Sequence, residues 1–242
     1  MTSRLARIVL PKDSTFWRVY SPIIKILADS KEHQIIRSKI NHWLRLEKKD
    51  NVLEVGCGKG VWLSEVEGLV STAVGLDAES KMLEGAAANV QRANLVLSDL
   101  NQPLPFSDGS FSKVTSILVE GYLRNRELSC AEKFRVLAPG GMLAVVTPKK
   151  GASFFRVLVA EAKHRRAEQA VVERGNIRRL LLGVTASLLF GKMAELKAVV
   201  GEWHFYEKDE LVNMYREAGF EVVACESVYA NQAWLLIARK PS

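Results

Sequence analysis

The run Val52-Leu53-Glu54-Val55 ending in Gly56-Cys57-Gly58-Lys59-Gly60 constrains this chain more than any other stretch. The apolar start reads as a buried strand, and the three alternating glycines can take left-handed dihedrals and let ligand atoms come close to the main chain. Strand, glycine turn and helix together open a doubly wound α/β sheet. The ligand that suits such a turn is a nucleoside-like cofactor. The glycines alone leave its identity open, because several cofactor classes share them.

Beyond the turn, short apolar runs alternate with helix-like pieces from 51 to 148, the pattern of a parallel sheet covered on both faces. Strands are expected at 51–55, 72–76, 94–97, 114–119 and 142–147. Helices are expected near 61–68, 80–91 and 127–137, the last closed by Pro139-Gly140-Gly141. An amphipathic helix precedes this core at 30–47, with Ile35, Ile36, Ile40, Trp43, Leu44 and Leu46 on its apolar side. A helix at 209–218, ended by Gly219, leads into an antiparallel hairpin of 220–229 and 233–238 turned at Asn231. Between Pro148 and Tyr206 lies a helix-rich insertion where a short connection would suffice.

Length and composition fit a single soluble domain of 242 residues, 48% hydrophobic and 25% charged. Within it, 1–48 forms a helical cap, 49–148 the cofactor-binding core, 149–206 the insertion and 207–242 the final helix and hairpin. Cys57, Cys130 and Cys225 are too few and too scattered for a disulfide framework or a zinc ligand set, so a reducing cytoplasm and no metal are expected. The first ten residues hold too short an apolar piece for a secretory signal or a membrane span. A net charge of +7 raises anionic partners. The basic residues are spread along the chain with no aromatic-interleaved tract, which disfavours nucleic acid. Apolar stretches beside Lys163-His164-Arg165-Arg166 and Arg178-Arg179 suit an in-plane helix, so an anionic membrane surface meeting residues 151–200, at the inner face of a membrane, is a candidate partner.

Asp77 follows the second strand about twenty residues past the glycines, where a carboxylate accepts both ribose hydroxyls; capping the helix after Glu79 is the competing role. Three further elements stand beside it: Gly75-Leu76-Asp77 itself; Ser98-Asp99-Leu100 with Leu104-Pro105-Phe106-Ser107-Asp108-Gly109-Ser110-Phe111; and Arg135-Val136-Leu137-Ala138-Pro139-Gly140-Gly141. With Val52–Gly60 these resemble the four signatures of the class I S-adenosylmethionine-dependent methyltransferases, above all the type 11 subgroup containing the ubiquinone- and menaquinone-biosynthesis enzymes. The resemblance is close over 51–148, loose over 207–239 and absent in the insertion. Ser112 and Ala138 depart from the usual acidic and basic residues, at positions that look structural. A dinucleotide, its pyrophosphate on a helix N-terminus, would also suit the glycines, but the later signatures do not belong to that class.

The resemblance implies a Rossmann-like sheet of seven mostly parallel strands with helices on both faces, a C-terminal antiparallel hairpin and a helical lid insertion. It implies S-adenosylmethionine as cofactor. Glu54, Gly56, Cys57 and Gly58 would then hold the methionine part, Gly60 would let the helix pack close, and Asp77 would hold the ribose. Ala78 and Met82 would touch the adenine, Asp99 and Leu100 would meet its edge, and Tyr20 and Val119 would close over the cofactor. Glu120, Tyr122, His204 and Tyr206 are the candidate residues on the acceptor side. The expected acceptor is a small amphipathic or lipid-like molecule: a quinone precursor, isoprenoid, sterol or phospholipid. The alternatives are an RNA or protein acceptor, and a cofactor-binding homologue that does not methylate. Oligomeric state is not set by the sequence.

Overall fold

The computed structural model describes residues 30–168, 192, 193, 197 and 202–242. Tyr20 and the stretch 177–190 lie outside them, as does most of the segment expected to meet a membrane. The described elements run α1 (Lys31–Leu44), β1 (Asn51–Val55), α2 (Val61–Val66), β2 (Thr72–Asp77), α3 (Ser80–Ala87), β3 (Asn94–Leu97) and β4 (Phe111–Ile117). A 3-10 turn (Glu120–Tyr122) follows, then α4 (Arg126–Val136), β5 (Leu137–Pro148), α5 (Phe154–Glu168), α6 (Lys208–Glu217), β6 (Glu221–Val228) and β7 (Ala233–Arg239).

One seven-stranded sheet has the order β3-β2-β1-β4-β5-β7-β6. Strands β1 to β5 are mutually parallel, and β7 is antiparallel to both β5 and β6. The order therefore reverses between β1 and β4, and ligands bind beyond the carboxyl ends of strands at such a reversal. Both faces are buried, as alternation along single strands shows. Val52 packs on one side with Ile36, Ile40 and Trp62, whereas Leu53 and Val55 pack on the other with Leu211 and Tyr215.

Several boundaries shift by a few residues from the sequence expectation, and two of the shifts have a clear local cause. Strand β4 stops at Ile117 because Leu118 turns left-handed, φ 58°, its N–H donating to Val146 O at 2.7 Å. Strand β5 begins at Leu137, so Pro139-Gly140-Gly141 lies inside a strand. Between the pairs Phe111↔Leu137 and Lys113↔Met142, β4 advances two residues while β5 advances five, which makes a bulge. Gly140 there has φ 72°, and a Cβ on Gly141 would come within 2.8 Å of Ala138 O. The other conspicuous signature is structural as well: Arg135 donates to Leu104 O, Phe106 O, Asp108 and Glu132, stapling the 104–108 loop onto α4.

Candidate cofactor and acceptor site

Each glycine of the first turn has its own reason. At Gly56, φ 75°, a Cβ would fall 2.3 Å from Val119 Cγ2; at Gly60, φ 68°, it would meet Val90 at 3.1 Å and Ala86 at 3.2 Å. At Gly58, φ 52°, it would meet nothing within 4 Å, so the turn is open on that side. The N–H groups of Gly56 and Cys57 both donate to Leu76 O, at 2.7 and 3.0 Å, and tie the turn to the end of β2. The Cys57 thiol is buried against Gly75, where a Cβ would come 2.8 Å from its sulfur. Burial first, then Glu54 and Asp77, push its pKa up, so it is a packed thiol.

The Asp77 carboxylate ties the glycine turn to the segment that leads into α3. Its Oδ2 accepts the Gly58 N–H at 2.8 Å and its Oδ1 the Glu79 N–H at 2.9 Å, which fixes the carboxylate at the mouth of the turn. Burial raises its pKa against the opposing backbone hydrogen bonds. Glu54, 4% exposed, lies one strand inward. Burial above all, and then the charge of Asp77, hold its pKa well above the carboxylate range, and its Oε2 has no hydrogen-bond partner among the described residues. Ala78 is exposed and Met82 buried beside it; Asp99 is exposed and accepts from the backbone and side chain of Asn101; Leu100 is buried. All lie just past β2 or β3, on the edge where β1 ends.

On the far side of Val119 the chain gathers the acceptor-side candidates. The His204 N–H donates to Gly121 O at 2.7 Å, so 203–206 runs against the Glu120–Tyr122 turn. Tyr122 meets Trp203 edge-on at 4.5 Å, and His204 meets Tyr206 at 4.7 Å. Glu120 is fully buried, with Lys133 Nζ 2.7 Å away and Ser116 Oγ donating at 2.7 Å. Tyr206 is 1% exposed; burial, then Glu120, raise its pKa. Burial likewise raises that of Tyr122. His204 Nε2 lies 2.5 Å from Glu210 Oε1 at the surface. The four candidates thus come together, with Tyr122 alone lining an open space.

That space is a narrow, largely apolar cleft of about 20 Å³ between Leu118, Tyr122, Pro148, Ala152, Val157 and the hairpin residues Tyr229 and Gln232. The hairpin and α5 contributions were missed in the sequence. A signal existed only in part, since the turn was placed at Asn231, while Tyr229 and Ala230 also take left-handed dihedrals. His33 of α1 stacks on Tyr229 with its Nε2 buried and without a partner among the described residues. Burial, then Arg37, lower its pKa to about 3.

A reversed parallel sheet, a glycine turn packed on its acidic β2 end and an apolar cleft one residue away define a Rossmann-like transferase that binds a nucleoside cofactor. Residues 53–145 match the model of a methyltransferase domain. The demethylmenaquinone methyltransferase of Staphylococcus aureus (strain JH9) is 27% identical over 202 residues, 78% of this chain and 75% of the relative. The methyltransferase in a complex with the Haloferax volcanii Trm112 activator shares the fold at TM-score 0.68 and 16% identity, over 96% of this chain and 98% of that one. An S-adenosylmethionine-dependent methyltransferase from Mesorhizobium loti shares it at 0.59 and 18%, over 84% and 96%. The matched methyltransferase domain and these relatives support an S-adenosylmethionine-dependent methyltransferase.

The residues present fit that cofactor. The unsatisfied buried oxygen of Glu54 suits a cationic amine, the open side of Gly58 leaves room along the backbone, and the Asp77 carboxylate is fixed where hydroxyl donors would meet it.

Proposed function

We propose that the chain methylates a small amphipathic acceptor, a quinone precursor or similar lipid-like molecule, held in the cleft beside Leu118 and Tyr122. The supporting observation is the single-residue step from Leu118 to Val119: Leu118 lines the cleft, and Val119 presses on Gly56 of the cofactor turn. Acceptor and cofactor would be neighbours on the two sides of one backbone turn. The cleft is walled mainly by Leu, Val, Pro and Ala side chains with two tyrosines, and Ser153 and Gln232 add polar atoms, a lining that favours a largely apolar molecule. The relative that methylates demethylmenaquinone points to a fused aromatic quinone bearing an isoprenoid chain.

Bound S-adenosylmethionine supplies an electrophilic methyl on a positively charged sulfur. Glu54 and the backbone from Gly56 to Gly58 would hold its methionine part, Asp77 its ribose, and Ala78, Met82, Asp99 and Leu100 its base. Holding an acceptor at near-attack distance supplies much of the acceleration in such a transfer. Tyr122, which lines the cleft, would orient the acceptor. Glu120, Tyr206 and His204 support the turn that carries Tyr122, since Glu120 and Tyr206 are buried and His204 pairs with Glu210. Among the described residues no helix is long and apolar enough to cross a membrane. Phe155 and Val159 are nevertheless exposed one turn apart on α5, beside Arg156 and Lys163, a face suited to resting on anionic lipid and taking up acceptor there.

The test incubates the protein with methyl-labelled cofactor and host extract split into lipid, small-polar and macromolecular fractions. Label in the lipid fraction is the expected result, and label confined to either of the others refutes the acceptor class.

A further inference from the structure

Among the described residues, five non-glycine residues have positive φ: Arg45, Leu118, Tyr229, Ala230 and Asn231. Two of them, Leu118 and Tyr229, line the cleft, and Ala230 and Asn231 continue the turn that carries Tyr229. A bulky aromatic residue in this conformation is costly and persists only where its surroundings over-determine it; such strain gathers at functional sites. The surroundings of Tyr229 do so. Gln232 N–H donates to Tyr229 O at 2.9 Å and to Val228 O at 3.1 Å, and His33 stacks on the ring with centroids 4.9 Å apart.

The strongest restraint comes from α1, nearly two hundred residues earlier. Glu32, 7% exposed, accepts the Ala230 N–H on Oε2 at 2.7 Å, while its Oε1 lies 3.0 Å from His164 Nε2 on α5. Glu161, one helical turn beyond the cleft residue Val157, accepts the N–H groups of Lys31 and Glu32 at 3.2 and 2.7 Å. The Glu32 carboxylate thus joins the three elements that close one side of the cleft: α1, α5 and the β6–β7 turn.

We propose that Tyr229 is a specificity-determining wall of the acceptor cleft and that Glu32 is a positioning residue, holding Tyr229 in its left-handed conformation through the Ala230 N–H. The inference rests on the cleft being the acceptor site. Neither residue belongs to the glycine turn or to Asp77, so both should act on acceptor recognition and leave the cofactor alone.

The experiment follows methyl transfer from labelled cofactor to reduced 2-alkyl-1,4-naphthohydroquinones of increasing chain length, with calorimetry of S-adenosylhomocysteine binding alongside. Tyr229→Leu should raise KM about tenfold and blunt the chain-length preference while kcat changes less than about threefold. Glu32→Ala should move KM the same way by a smaller factor and speed hydrogen exchange at Ala230. Tyr229→Phe and Glu32→Gln, which keep the ring and an accepting oxygen, should restore wild-type values. Cofactor affinity should be unchanged in all four. Turnover by Tyr229→Leu and Glu32→Ala with unaltered KM and chain preference overturns the inference and leaves the acceptor reading standing; so does a parallel loss of cofactor affinity, which marks a general structural role. Wild-type protein that binds cofactor and methylates no naphthohydroquinone sinks the acceptor reading, and the inference with it.

Discussion

The two sides of Val119 are built by different means. The cofactor side is backbone: glycines that admit left-handed dihedrals, N–H groups folded onto Leu76 O, and one carboxylate held by two more N–H groups. Its parts lie within about one βαβ unit of sequence. The proposed acceptor side is lined by side chains of the 118–122 turn, the end of β5, α5 and the hairpin, and it tolerates left-handed dihedrals at residues that are not glycine. A site that must hold one shared nucleoside can be written in glycine and strand ends. A site that must suit one particular acceptor is free to use whatever the surrounding elements deliver.

The largest effect should come from the support beneath the acceptor side. Lys133 and Glu120 are both fully buried, and Lys133 also donates to the oxygens of Ser129. Lys133→Met leaves a buried carboxylate without its cation, so a loss of roughly 3–5 kcal/mol in urea unfolding is expected, and Glu120→Gln in the same chain should recover most of it. Failure of the second substitution to rescue would mean that the pair is not what sustains the 120–122 turn. On the cofactor side the expected split runs the other way. Both Asp77 oxygens accept a backbone N–H and an amide keeps only one of these acceptors, so Asp77→Asn should cost only about 1 kcal/mol in unfolding. Loss of a charged acceptor for the cofactor's hydroxyls should still weaken cofactor binding about a hundredfold, close to 2.7 kcal/mol, by calorimetry.

This difference also explains what could be read in advance. The succession of parallel strands, the final antiparallel hairpin and the glycine turn facing Asp77 at the end of β2 followed from local sequence, because turn chemistry and strand alternation are local properties, whereas the cofactor class followed from the resemblance of four signatures. Strand ends were less legible where tertiary geometry overrode propensity: Leu118 leaves β4 early to reach the cleft, and β5 absorbs Pro139-Gly140-Gly141 as a bulge. Tyr229, Glu32 and Glu161 carry no local signal at all, since a glutamate at a helix start reads as a surface residue until the chain brings Ala230 onto it. His33 carries no local signal either: it lies on the helix at 31–44, and the contact with the Tyr229 ring comes from the far end of the chain.

His33 makes the cleft side respond to acid. Its folded pKa is lowered to about 3, by burial and then by Arg37, against about 6.5 in an unfolded chain. The unfolded state therefore binds the extra proton between these values, so the stability tied to neutral His33 is complete above pH ~6.5 and falls as pH drops towards ~3, with a limiting slope of about 1.4 kcal/mol per unit. Urea unfolding at pH ~7 and ~5.5 should show the decline, and His33→Phe, which keeps a ring on Tyr229, should flatten it. An unchanged slope in that variant would remove the histidine from the account.

The smallest effect separates strain that serves the cleft from strain that serves only a helix end. Arg45 closes α1 at φ 47°, and Ala230 sits in the hairpin turn at φ 51°. Glycine relieves a left-handed residue of roughly 1 kcal/mol and returns part of that through unfolded-chain entropy, so Arg45→Gly and Ala230→Gly should each stabilise the fold by a few tenths of a kcal/mol, up to about 1 kcal/mol. They should differ in function. Arg45 is remote in sequence from every cleft residue, and its variant should methylate as before. Ala230→Gly keeps the N–H that Glu32 grips but widens the conformations open to the peptide after Tyr229, so acceptor KM should rise severalfold while stability improves. Equal kinetics in the two variants would show that the left-handed hairpin turn is incidental to acceptor choice, and the contrast between a backbone-written cofactor site and a side-chain-written acceptor site would then stop at the cleft wall.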